Sequence, residues 1–264
     1  MSGIRTGLLA AAGVLAFTSL ALSADMAPLY KAPPPRAAVF SWTGFYIGAH
    51  AGGGWGTAEA AANRVDFAPG VIDNEGVTFD GFSVPVSQTQ TNGFLGGATV
   101  GFNVQTTPWL VLGVEGDFSW TDVKGTAPCI LIVACSVKHD WMATAAGRVG
   151  FTQDRLMVFF KGGVAWADTK YTASLNIGEF TLGPIQSGSS SVKNTRVGAL
   201  FGTGIEYAFL SNWSAKIEYN YIDFGHHDYN FSIFEGDVVI GATIRERMHV
   251  VKGGVNWRFN TSGI

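Results

Sequence analysis

Ten charged residues carry most of the chemical potential of this chain: Glu115, Asp117, Glu206 and Glu218, with Arg148, Lys161, Arg196, Lys216, Lys252 and Arg258. Each falls at an alternate position of a run whose intervening positions are apolar, so all ten are expected to share the inner face of a sheet. Opposite charges on one enclosed face have two uses. They line a water-filled pore, or they neutralise one another and fill a narrow interior, and the second reading is the stronger. Ser119 beside Glu115 and Asp117 supplies a nucleophile and acids but has no histidine on its own strand, so no Ser-His-acid set is legible. His226 and His227 with Asp223 and Asp228 are too loosely spaced for a metal or haem-iron frame and read as a solvated loop. His50 and His249 fall on terminal strands that should pair, and could approach each other there. The runs Gly52-Gly53-Gly54 and Gly96-Gly97 lie inside strands with no helix following, which excludes a phosphate loop. No catalytic, cofactor-binding or metal residue is assigned, and no cofactor is expected. Cys129 and Cys135, the two cysteines of the chain, bracket an apolar pentapeptide and are expected to form a disulfide in an oxidising compartment.

The elements that position these residues are eight stretches of period-two alternation. Their expected ranges are Ser41–Gly56, Thr91–Val104, Trp109–Thr121, Val137–Gln153, Leu156–Asp168, Thr195–Phe209, Trp213–Phe224 and a last strand within Ile244–Phe259. In that last strand Val251, Gly253, Val255, Trp257 and Phe259 oppose Lys252, Gly254, Asn256 and Arg258. Links around Thr106, Asp154 and Ser211 are very short, whereas Thr57–Gln90, Asp122–Ser136, Lys170–Asn194 and Gly225–Thr243 read as long loops. Short turns on one side and long loops on the other, with an even strand count, are the pattern of a bacterial outer-membrane barrel. The tryptophans give a third sign. Trp42, Trp109, Trp213 and Trp257 sit at the short-turn end, and Trp55, Trp120, Trp141 and Trp166 at the long-loop end. They are expected to form two membrane girdles. From Trp109 to Trp120 is roughly 36 Å of strand, about 26 Å of height at a 45° tilt.

The bulk numbers agree. Of 264 residues 47% are hydrophobic and 14% charged, against about 25% charged in a typical soluble domain. The net charge of −3 leaves no basic face for nucleic acid. Arg5, the apolar stretch Leu8–Leu22 and small residues at Ala21, Ser23 and Ala24 make residues 1–24 a secretory signal peptide. Residues 25–40, with Pro33-Pro34-Pro35, read as an extended periplasmic leader, residues 41–259 as the barrel and 260–264 as a short tail.

The run Phe40-Ser41-Trp42-Thr43-Gly44-Phe45-Tyr46-Ile47-Gly48 and the closing Gly254–Phe259 resemble the first and last strands of the alphaproteobacterial outer-membrane immunogenic proteins, small porin-family barrels of the OmpA-like transmembrane type. The resemblance covers essentially the whole mature chain, and implies exposed antigenic loops and weak porin activity. The expected fold is all-β, an eight-stranded antiparallel up-and-down transmembrane barrel in the bacterial outer membrane. The expected role is structural and non-enzymatic, in envelope integrity, with a narrow or closed lumen. Expected partners are outer-membrane lipids, lipopolysaccharide and the barrel-assembly machinery, with peptidoglycan or a host surface as further candidates and a monomer as the assembly state. Other readings remain open: a diffusion porin, with Val65–Phe67 and Val77–Phe82 as an added hairpin making ten strands; a haem- or metal-binding or lipid-modifying barrel; and a soluble lipocalin-like carrier.

Overall fold

The computed structural model describes residues 40–70, 72, 74–130, 133–175, 189–233 and 238–259. The expected signal peptide, all of the leader but residue 40, and the 260–264 tail lie outside the described residues. Eight strands run β1 Gly44–Phe67, β2 Val77–Thr107, β3 Leu110–Ile130, β4 Val133–Gln153, β5 Leu156–Leu175, β6 Ser189–Ala208, β7 Trp213–Ile233 and β8 Val238–Arg258. Every strand pairs antiparallel with its neighbour in chain order, and β8 returns to β1, so the sheet closes with no free edge. Closure is what makes such a sheet compatible with lipid, because no backbone group is left without a partner.

Local chemistry sets the tight ends. Pro108, which has no N–H to offer a ladder, occupies the β2–β3 turn. Asp154 takes a positive φ of 55° in the two-residue β4–β5 turn, a conformation that Asp tolerates better than most residues.

The strands are 20 to 31 residues long, about twice the 9–11 residues that cross a bilayer. Much of what reads as long loop in the sequence is therefore strand. The stretches 57–67, 77–90, 122–130, 170–175, 225–233 and 238–243 continue the ladders, and Val65–Phe67 and Val77–Phe82 are the ends of β1 and β2 rather than an added hairpin. Two physical causes hide these extensions. Above Trp120 the outward positions turn polar, at Asp122 and Lys124, so the apolar alternation that marks a strand disappears. Register shifts at Ala60/Ala61, Ala62/Arg64 and Trp120/Val123 also break the ladders, and those at His139/Trp141 and Asp223/His226 invert the parity of the β4 and β7 residues beyond them.

Between the two tryptophan levels the outer wall is apolar: Leu112, Val114 and Phe118 of β3 and Val197, Phe201 and Ile205 of β6 are all exposed. Trp55, Trp109, Trp120 and Trp213 are exposed, and Trp141, Trp166 and Trp257 half-buried. Trp42 departs from the expected girdle. It is fully buried, packed with Val111, Met157, Phe159 and Ala208 in the short-turn mouth of the barrel. The chain turns at Gly44, φ 140°, and residues 40–43 fold back across that mouth instead of continuing the strand.

Placing a charge on the outer wall tests this assignment of faces. Val114→Arg, at the middle of the apolar band, should cost about 2–4 kcal/mol of folding free energy, and Thr195→Arg, at the edge of the band, about 0–1 kcal/mol. Urea titration of the protein in lipid vesicles reads the difference; equal costs would contradict the depth assigned to the apolar band.

Candidate functional site

The inner wall is the site, and it is built in layers that can be read along single strands. In β8 the inward residues run Arg258, Asn256 and Lys252, then Val250 and Met248, then Glu246, then Ile244. In β5 they run Met157 and Phe159, then Lys161, then Ala165 and Ala167, then Thr169, then Tyr171.

At the short-turn mouth lies an aromatic cork. Trp42 Nε1 donates to the Asp154 carbonyl at 3.0 Å, and its backbone N–H donates to Gln105 Oε1 at 2.9 Å. The Arg258 guanidinium lies 4.6 Å from the Trp42 ring and 5.2 Å from that of Phe40. Above it comes a layer of ions. Lys161 Nζ contacts Glu115 at 2.9 Å, Asp117 at 3.3 Å and Glu218 at 3.0 Å. Lys216 contacts Glu115 at 3.0 Å and Glu218 at 3.1 Å, and Lys252 contacts Glu218 at 2.9 Å and Asp117 at 3.4 Å. Arg148 stacks 3.9 Å from the Phe159 ring centroid and holds Glu206 and Glu115. Tyr46 joins by donating to Glu115 at 2.8 Å. Gly101 must be glycine for this, because a Cβ there would run into the Tyr46 ring.

Some of these pairs join adjacent strands, Lys252 of β8 with Glu218 of β7 and Arg148 of β4 with Glu115 of β3, but others reach further. β3 and β7 stand four strands apart in a ring of eight, yet Lys216 of β7 touches Glu115 of β3 directly. At this level side chains bridge the full width of the lumen. Nine of the ten expected inward charges join the layer or its lower edge; Arg196 belongs elsewhere.

The third layer is apolar. Leu95, Val123, Met142, Ala146, Ala165, Ala167, Leu200, Ile222, Phe224, Met248 and Val250 form one buried cluster spanning the interior. A second polar layer follows, beyond the level of Trp55 and His249. Glu246 lies 2.7 Å from His139 Nε2, accepts from Tyr171 at 2.7 Å and contacts Arg196 at 3.0 Å. Arg196 also donates to the Ile244 carbonyl and to His227 Nδ1, and Thr169 lies 3.0 Å from His139 Nδ1. Burial acts to raise the Glu246 carboxyl, but His139, Arg196 and Tyr171 outweigh it and hold the group below the usual glutamate range. Burial first, and then the Glu246 carboxylate, push the Tyr171 hydroxyl well up, so it remains a donor.

Several residues here are missed by sequence reasoning. His139, Tyr171 and Glu246 carry no motif, Tyr46 lies in the strand-one run without being singled out there, and parity does not reveal His139 because the register shift beside Trp141 inverts it. His50 is the sharpest case. It brings Nε2 within 2.8 Å of Ser119 Oγ and Nδ1 within 3.7 Å of Asp117, so a Ser-His-Asp grouping does exist, assembled from β1 and β3. All three are buried, Nδ1 sits closer to Thr99 at 2.9 Å, and Asp117 is already taken by Lys161, Lys252, Thr99 and Thr144. The arrangement cross-links strands and presents no nucleophile to a substrate. His249 faces outward, stacked on Trp55 and hydrogen-bonded to Tyr219, and so does not approach His50. His226, His227, Asp223 and Asp228 lie in β7 rather than in a loop, with His227 held by Arg196 and Asp228 by Thr243, and do not converge on one point. Cys135 lies on β4 opposite Ala127; the Cys129 side chain lies outside the described residues.

Comparison with known proteins places this geometry. Residues 11–259 match the family described as outer membrane protein beta-barrel domain. The 31 kDa outer-membrane immunogenic protein of Brucella melitensis is 32% identical over 92% of this chain and 95% of its own length. The 25 kDa outer-membrane immunogenic protein of Brucella abortus is 23% identical over 98% of this chain and 100% of its own. A 22 kDa outer membrane protein of Rhizobium leguminosarum is 27% identical over 72% and 68%.

Removing the Glu246 carboxylate should expose how much the upper layer holds. Glu246→Ala leaves Arg196 and His139 facing each other without their shared anion, at a cost of about 3–5 kcal/mol. Because the folded-state pKa of Glu246 is depressed, its contribution is fully present above the ordinary glutamate range and fades as pH falls through the folded value. Denaturant titrations against pH should show wild type losing stability on acidification below that range. Glu246→Gln, weaker at neutral pH, should lack this part of the acid slope.

Proposed function

This chain belongs to the outer membrane protein beta-barrel domain family and resides in the bacterial outer membrane, and from that premise we propose that it is a closed-lumen structural barrel that supports envelope integrity. The observation that carries this reading is the Lys216–Glu115 ion pair across the diameter of the barrel at 3.0 Å. The apolar cluster above it adds a second barrier, since hydrated ions crossing it would lose their water with no polar group in return. The cork of Phe40 and Trp42 adds a third. A diffusion porin needs a continuous aqueous path, and three stacked layers oppose one. A haem- or metal-binding or lipid-modifying role has no convergent, accessible donor or nucleophile behind it among the described residues.

The remaining parts of the proposal rest on the same premise. The short-turn end, where the described residues begin at Phe40 and end at Phe259, faces the periplasm, and the extended strand ends project outward as the antigenic surface that the relatives' names suggest. The lumen charges act as packing. Seven tryptophans mark the headgroup levels. Residues 1–24 act as export signal and 25–40 as leader. Cys129 and Cys135 form a disulfide that pins the β3–β4 tip. The chain is a monomer that engages lipid, lipopolysaccharide and the barrel-assembly machinery, with peptidoglycan or a host surface as further partners.

Planar-bilayer recording of the refolded protein tests the central claim. Silence, or rare brief openings, is expected. Stable, sizeable openings in most insertions would mean that the layers part and that the charges line a pore.

A further inference from the structure

We propose that the outward face of β3–β6, just beyond the tryptophan level, binds the phosphate groups of glycolipid in the outer leaflet. Lys124 pairs with Lys138, Lys138 with Lys170, and Lys170 with Lys193, so four lysines stand directly opposite one another across four strands. All four are exposed. Like charges directly opposed in a sheet repel, and a row of four calls for an anion. Three of them lean on carboxylates: Lys124 on Asp122 at 3.0 Å, Lys138 on Asp140 at 2.9 Å, and Lys193 on Asp168 at 2.8 Å and Asp140 at 3.5 Å. Lys170 has no ion pair among the described residues.

The position of those aspartates matters. Asp122 lies two residues from Trp120, Asp168 two from Trp166 and Asp140 beside Trp141, so each is nearer the bilayer than the lysine it holds. The pairs draw the ammonium groups toward the membrane. Lys124 and Lys170 are four residues beyond Trp120 and Trp166, roughly 9 Å along the membrane normal at a 45° tilt. A headgroup zone is about 5–8 Å deep on each side, so ammonium groups tilted inward meet its phosphates. Exposed lysine–carboxylate pairs such as Lys124–Asp122 and Lys138–Asp140 are weak, and a phosphate oxygen can replace a carboxylate oxygen as acceptor of the same charge-assisted bond; Lys193, on the buried Asp168, is held more firmly. The other half of the rim is different: Arg245 faces Asp223 and Arg247 faces Glu59, two closed pairs with no row. The surface is thus one-sided, and the proposal rests on the extended strand ends facing the cell exterior.

Binding of purified lipopolysaccharide to the detergent-solubilised, delipidated protein, followed by tryptophan fluorescence, is the test, with enzymatically dephosphorylated lipopolysaccharide alongside. Each lysine near an anionic lipid surface should contribute about fivefold in affinity. Lys170→Gln alone should weaken binding about fivefold, and Lys124→Gln with Lys138→Gln, Lys170→Gln and Lys193→Gln about six hundredfold if the four contribute independently. Dephosphorylated glycolipid should bind wild type as weakly as the fourfold variant binds the intact lipid. Arg245→Gln with Arg247→Gln should bind like wild type. Heat-modified gel mobility reports that each barrel is folded, and if the fourfold variant does not fold, Lys170→Gln carries the test. The proposal is overturned if the fourfold variant binds within twofold of wild type, if removing phosphate changes nothing, or if soluble dextran sulfate binds the row and lipopolysaccharide does not. Orientation is read separately, by labelling Asn74→Cys on intact cells with an impermeant maleimide. Failure of that labelling would overturn the orientation, whereas labelling with lysine-independent lipid binding would overturn only the lipid site.

Discussion

A ring of eight strands encloses a space about as wide as the side chains that fill it, and the rest of this structure depends on that limit. An inward carboxylate has no bulk water to face, so its counter-charge must come from whatever strand can reach it, including the opposite one. Glu115 shows the consequence. It is shared by Lys161 of β5, Lys216 of β7 and Arg148 of β4, while Tyr46 of β1 donates to the same carboxylate. One buried group thereby ties five strands together.

Buried ion pairs are weak evidence for net stability, because desolvation offsets most of the attraction. Their consequence here is register. A slip of one residue in β8 would turn Lys252 and Glu246 toward lipid and bring His249 and Val251 inside, leaving Asp117, Glu218, Arg196 and His139 short of partners. Apolar packing alone would tolerate such a slip more easily. The apolar cluster between the two ionic layers complements this role by separating them, so that each layer must balance its charges within itself.

What is legible in the sequence is what a period of two can carry. Val114 against Glu115, or Val251 against Lys252, announces a strand with a wet face and a greasy one, and eight such runs give the barrel. The limits have equally specific causes. Trp42 looks like a girdle residue because strand one seems to begin at Ser41, whereas the turn at Gly44 sends the preceding residues across the barrel mouth. The strand ends beyond Trp120 and Trp141 are hidden by polar outward residues and by register shifts that reverse parity. The His50–Ser119 contact joins positions 69 residues apart, through two successive ladders, and no local spacing encodes it.

Charge balance separates the two sets of lysines on this wall. Inside, Arg148, Lys161, Lys216, Lys252 and Arg258 meet Glu115, Asp117, Glu206 and Glu218, and the odd cation, Arg258, lies against the Trp42 and Phe40 rings at 3.9 Å from Glu206. That set is closed: each cation has an anion or a ring face, and burial keeps competing ligands away. Outside, the exposed Lys124, Lys138, Lys170 and Lys193 share Asp122, Asp140 and the buried Asp168, with Lys170 left over. The same residue types at the same cross-strand spacing therefore have opposite chemical meaning. The inward set uses up its charge in holding the strands together, and the outward set keeps charge available at the depth where lipid phosphates lie.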